Sequence, residues 1–225
     1  MSIDLDGAIE PSASERTTPA RVWATMMRGN SRFVGGTPKH PRQDVETRAG
    51  LAGLQTPRAA LFGCSDSRLA AEIIFDLGLG DLFVVRNAGQ IVSESVLGSL
   101  EYAVEVLGVS LVVVLGHDAC GAVRAAIDSQ LPDAPPLPGH IRNLVDHIVP
   151  AVKRVHAHHA DDGTLLTAPD AGEVGRVHLR DSVAKLLEGS EIISAAVADG
   201  RLAVVGANYR LAEGRAVPDI VIGEI

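Results

Sequence analysis

The chain has 225 residues and 46% hydrophobic content, enough to build one large core or two small ones, which excludes a disordered tail protein. Asp plus Glu outnumber Lys plus Arg by 28 to 20, and the formal net charge of -8 is the wrong sign for binding nucleic-acid phosphates. Aromatics make up only 3%, which predicts an aliphatic core, and the two cysteines, Cys64 and Cys120, invite a chemical explanation in a chain this long rather than a stapling one.

The opening segment Met1-Ser2-Ile3-Asp4-Leu5-Asp6 has neither a basic region nor an apolar run of secretory type, and no uncharged apolar stretch reaches the ~18 residues of a membrane span. The expected address is the reducing cytoplasm, with both thiols free and no membrane or nucleic-acid partner. Residues 1–16 are polar and read as a flexible arm ahead of one domain over 17–225. Thr18-Pro19 offers an N-cap followed by proline at the first helical position, and Val22, Trp23, Met26, Met27 and Phe33 continue an amphipathic helix to Gly35-Gly36. The chain is then polar and broken by Pro and Gly as far as Pro57.

Short apolar runs at 59–63, 82–85 and 111–115 read as buried strands, with helical spacing at Val96, Leu97, Leu100, Ala103, Val104 and Leu107 before Gly108. This βαβαβ rhythm predicts an α/β fold with a parallel sheet covered by helices. Prolines between 132 and 138 mark a loop, followed by a helix over about 141–156, a second loop from 161 to 172 and a helix over about 174–187. Ser190 is an N-cap candidate, and strands at 202–206 and 219–222 are predicted to form a hairpin around Glu213-Gly214. Gly78-Leu79-Gly80 precedes a strand rather than opening a helix, so it is no dinucleotide fingerprint.

The chemistry gathers at the strand ends. Cys64 follows the first strand and Cys120 the third, 56 positions later, and the carboxyl edge of a parallel sheet is where α/β proteins bind ligands. His117 sits three residues before Cys120, so Cys64, His117 and Cys120 form a two-thiolate, one-imidazole set suited to one Zn²⁺ per chain, and three protein ligands mark a catalytic rather than a structural site. Two thiolates neutralise the ion and weaken it as a Lewis acid, so the neighbouring Asp66 and Arg68 have a purpose: Asp66 positions the attacking oxygen while Arg68 holds Asp66 ionised. Asp66 could instead swing in as a fourth ligand and close the site. The dense histidines at 156, 158 and 159 read as a solvated helix end.

Cys-x-Asp-Ser-Arg at 64–68 with His-x-x-Cys at 117–120 resembles the motif pair of β-class carbonic anhydrases, and the order of elements is similar from about residue 18 to 225. The resemblance implies reversible hydration of CO₂ to bicarbonate and a proton, by zinc-bound hydroxide oriented through an Asp66–Arg68 dyad. It also implies a mixed sheet with a parallel core, and a homodimer or homotetramer in which the N-terminal helical arm packs on a partner subunit. A substrate pocket of Gln55, Phe83, Ala88 and Tyr102 with the backbone N–H of Gly121 is implied as well. Arg86 and Tyr209 match two residues of the family's inhibitory bicarbonate site, but Leu61 stands where that site has Trp. A COS or CS₂ hydrolase on the same scaffold, or a non-enzymatic zinc or thiol protein, are the competing expectations.

Overall fold

The computed structural model describes residues 18–161 and 169–225, so the expected flexible arm and much of the loop expected at 161–172 lie outside the described residues. Five strands, β1 (Ala59–Cys64), β2 (Leu82–Asn87), β3 (Leu111–His117), β4 (Ala203–Arg210) and β5 (Arg215–Ile222), make one sheet in the order β2-β1-β3-β4-β5. The first four are parallel and β5 returns antiparallel to β4, which is the mixed sheet with a parallel core that the sequence predicts.

Side chains alternate across it. Leu61, Val113, Leu115 and Val205 enter one core layer, while Phe62, Val112, Val114 and Val204 enter the other, so a run of apolar residues buried on both faces is what these strands require. The helices are α1 (Pro19–Val34), α2 (Val45–Gly50), α3 (Ala71–Ile74), α4 (Glu94–Glu101) with a π-helical turn at Tyr102–Val106, α5 (Gly121–Asp128), α6 (Gly139–Asp146), α7 (Val149–Asp161), α8 (Ala171–Gly189) and α9 (Glu191–Ala198).

Two sets of boundaries differ from the sequence expectation. Every strand extends beyond its apolar run, because backbone pairing continues where the neighbouring strand does: Cys64 pairs with Asn87, and His117 with Tyr209. The helix expected over 141–156 is two, α6 and α7, with Pro150 in the first turn of α7 where its missing N–H costs no helical bond. Helix α2 was hidden in a polar stretch, and its N-cap is Asp44, whose carboxylate accepts from the Thr47 amide at 2.7 Å.

Helix α1 is docked on its own chain. Val22 and Met26 are buried, and Gly29 lies so close to the Phe75 carbonyl that a Cβ would sit 1.7 Å from its oxygen. Asn30 donates to the carbonyls of Ile74 (3.0 Å) and Gly214 (2.8 Å) and accepts from the Ala216 amide (3.0 Å), joining α1 to α3 and β5.

A buried carboxylate fastens the segment after α1. Asp76 accepts from Arg32 Nε at 2.5 Å and from the amides of Lys39 and His40 at 2.9 Å, and its side chain is fully buried. Burial alone would raise its pKa, but the Lys39 amide, the Arg32 guanidinium and the His40 amide outweigh it and hold the carboxyl below its usual range. A depressed folded pKa stabilises the fold above the unfolded value and loses that contribution as pH falls through the folded one. Asp76→Ala is expected to cost about 3 kcal/mol at neutral pH, read by denaturant unfolding, because it strands Arg32 and two amides. The gap between wild type and variant should close as the pH falls below about 4.

Candidate metal centre

Cys64 is the last residue of β1, His117 the last of β3, and Cys120 follows three residues later, immediately ahead of α5. The turn closes tightly because Ala119 adopts a left-handed conformation (φ 49°). One ligand atom from each of the three lies within 4.8 Å of the others, and the residues are 5%, 5% and 8% exposed. The Nδ1 of His117 is 2.8 Å from the Asp118 carbonyl, which can only accept, so Nδ1 carries the proton and Nε2 is bare. Nε2 is buried without a hydrogen-bond partner. A bare imidazole nitrogen within reach of two sulfurs is a donor set that fits a divalent cation, and its softness selects zinc over magnesium or calcium.

Each thiol bears on the proton affinity of the other. A hydrogen bond from Cys120 lowers the pKa of Cys64 against the effect of burial, and the Gly89 amide, 3.4 Å from Sγ, helps. Cys120 is pushed up, first by that same bond and then by burial. A divalent cation bound between the two sulfurs leaves both as thiolates.

Asp66 and Arg68 meet as a fork: Nε donates to Oδ1 at 2.8 Å and Nη2 to Oδ2 at 2.7 Å. Nη2 also donates to the Ala119 carbonyl at 3.2 Å, tying the dyad to the turn that carries the second thiol. The Arg68 guanidinium holds the Asp66 carboxyl well below the usual carboxylate range. Asp66 faces Arg68 and does not join the three ligands; swinging in would break both arms of the fork.

Three contacts here escape sequence reasoning. Arg86 donates to the carbonyls of Cys64 (2.9 Å) and Asp66 (2.7 Å), bracing the backbone between ligand and dyad. Gly89 aims its N–H at Cys64 Sγ from a turn that Asn87 clasps, with Oδ1 accepting from the Ile91 amide and Nδ2 donating to the Ile91 carbonyl, both at 2.7 Å. The position needs glycine: φ is 78°, and a Cβ would stand 2.8 Å from that of Ala122. The signal was present as Asn-x-Gly after a strand. The third, His178 against the Gly89 carbonyl at 2.8 Å, has no local signal.

Of the expected pocket residues, Ala88 and Gly121 lie beside the thiols, adjacent in sequence to Gly89 and Cys120. Gln55, Phe83 and Tyr102 are not brought there within one chain. Phe83 pairs with Ala60, four residues before Cys64 and so roughly 13 Å back along the strand. Its ring meets that of Tyr102 at a centroid distance of 6.1 Å, and Gln55 is an exposed residue upstream of β1. Leu61 and Tyr209 are core residues, 2% and 4% exposed, and the Arg86 guanidinium is engaged with backbone. Among the described residues, Cys64, His117 and Cys120 are the one metal-type cluster, and in the expected solvated histidine cluster His159 pairs with Glu173 at 2.7 Å.

A parallel α/β sheet whose carboxyl edge carries Cys, His and Cys beside an Asp–Arg fork defines a zinc enzyme with a catalytic type of site. The sequence model of the carbonic anhydrase family matches residues 59–216. The protein named carbonic anhydrase 2 of Mycobacterium tuberculosis is 49% identical over 93% of this chain and 97% of its own length, and a carbonic anhydrase of Mycolicibacterium smegmatis is 43% identical over the same shares. Among solved structures, a tetrameric β-carbonic anhydrase of Sordaria macrospora superposes with a TM-score of 0.65 at 27% identity, covering 87% of this chain and 95% of that one. This chain belongs to the β-carbonic anhydrase family.

Elemental analysis is expected to find one zinc per chain. Cys64→Ser, which exchanges a thiolate for a poor ligand, should weaken zinc affinity by about a hundredfold in a chelator competition.

Proposed function

We propose that this chain hydrates carbon dioxide reversibly to bicarbonate and a proton, using zinc held by Cys64, His117 and Cys120. The observation that carries this reading is the Asp66–Arg68 fork set beside two sulfurs and a bare imidazole nitrogen, in a chain of this family. Bound zinc supplies Lewis acidity, making a nucleophile from water near neutral pH. Asp66, acceptor-only while ionised, takes a hydrogen bond from the attacking water and turns a lone pair of that oxygen toward the carbon. Arg68 keeps the carboxylate ionised and fixes its plane, and Arg86 keeps the backbone beneath it from shifting. The Gly121 amide at the N-terminus of α5 donates to a substrate oxygen, and Ala88 limits the space beside it.

The remaining pocket residues point to a homodimer. Strand β2 is an edge of the sheet, its Phe83 and Val85 are half-buried, and next to it Tyr102 is 45% and Val106 63% exposed. An unpaired edge flanked by apolar side chains is a surface for another chain. A second copy covering this strip brings its own Gln55, Phe83 and Tyr102 to the site that one chain leaves without them. Two such dimers would make a tetramer, the state of the Sordaria relative. No helix of the described residues is long and apolar enough to cross a membrane, and the buried unpaired thiols support a cytoplasmic address.

Asp66→Asn is expected to lower kcat/KM for CO₂ hydration about a hundredfold in stopped flow with zinc retained. Unchanged hydration, or turnover of COS or CS₂ alone, would overturn the reading. Val106→Glu, at a position exposed in the single chain, should shift sedimentation to the monomer and remove hydration while leaving zinc in place. Because Arg68 holds Asp66 ionised far below neutrality, its protonation removes no rate between about pH 6 and 8. A steep loss there with zinc retained is the signature of Asp66 leaving Arg68 to close the site.

A further inference from the structure

His178 lies on α8, far in sequence from the metal centre, and is 4% exposed. Its Nε2 is 2.8 Å from the Gly89 carbonyl, which can only accept, so Nε2 carries the proton. Nδ1 is then a bare acceptor, buried and without a partner. An apolar side chain of similar size would fill this space with no orphaned nitrogen, so packing alone does not account for an imidazole here. Burial lowers its pKa, and the ring is neutral.

What the imidazole holds is a flexible joint that donates to a metal ligand. The peptide plane before Gly89 sends its N–H to Cys64 Sγ at 3.4 Å; the plane after it sends its C=O to His178. Between them is a glycine at φ 78°, the residue type with the widest backbone freedom. Asn87 clasps the ends of the turn, through Ile91, but touches neither group of Gly89. We propose that His178 is a positioning residue of the metal centre: by fixing the Gly89 carbonyl it holds the Gly89 N–H on the sulfur of Cys64, and so tunes the affinity and geometry of zinc binding. A metal ligand is oriented by the hydrogen bonds it receives, and losing such a bond weakens metal binding about tenfold or more.

The proposal rests on zinc binding by Cys64, His117 and Cys120, and the test separates the two. Zinc affinity is measured by chelator competition, and the thiolate-to-cobalt charge-transfer band of the Co²⁺-substituted protein reports ligand geometry. The proteins compared are wild type, His178→Met, which keeps bulk without a donor, and His178→Gln, which restores an N–H at similar reach. Expected are a tenfold weaker zinc affinity and a shifted band in His178→Met, with no lower melting temperature, and recovery to within about threefold in His178→Gln. Wild-type affinity and band in His178→Met, or equal weakening in both variants, would overturn it. Wild type that binds no zinc overturns the functional reading itself. Nitrogen-15 NMR of His178 in the wild-type zinc protein adds a readout independent of variants. A proton on Nε2 supports the proposal and one on Nδ1 ends it, even if His178→Met yields no folded protein.

Discussion

Neighbouring strands of a sheet stand roughly 4.8 Å apart, and strands β1 and β3 are neighbours in parallel register with Gly63 opposite Leu115. That register places Cys64 at the level where β3 delivers His117, and the spacing of the strands becomes the spacing of the ligands. Arg86 and Gly89 reach the same edge from β2, and Tyr209 lies opposite His117 on β4. The site is a property of the sheet's end as a whole.

The charges then follow. Two sulfurs in a site less than a tenth exposed cannot both ionise without a counter-charge, and a divalent cation supplies one. With the cation present its positive charge is largely consumed by the thiolates, which is why the ionised, well-oriented carboxylate of Asp66 matters more here than beside a metal held by neutral imidazoles. The surrounding donors divide the work. Gly89 serves a sulfur, Arg68 serves the carboxylate, and Arg86 serves the main chain between them.

Much of this could be read from the residues. The aliphatic runs at 59–63, 82–85 and 111–115 marked strands because a parallel strand is buried on both faces and shows no alternation. Their true ends were invisible to the same signal, since Cys64, Asn87 and His117 are chemistry-bearing residues that pair in the ladder without extending the apolar run. The metal ligands and the dyad were legible because they sit in two compact motifs. The bracing role of Arg86 was not legible, because its guanidinium holds main-chain carbonyls and hydrogen bonds to the backbone leave no trace in side-chain spacing. His178 was silent for a related reason, as its partner is a carbonyl on a loop that α8 meets only in the folded chain. Gln55, Phe83 and Tyr102 could be placed in a pocket by resemblance but not on a subunit.

The separation of Cys64 from His117 also orders events during folding. In a small zinc module the ligands are close in sequence, and the ion can gather a chain that has no structure of its own. Here the loop between the first and second ligands contains β2, α3, α4 and the π-helical turn, and closing it is the work of the β1–β3 ladder. The ion therefore arrives at a site that the sheet has already assembled. Metal uptake then completes this fold rather than starting it.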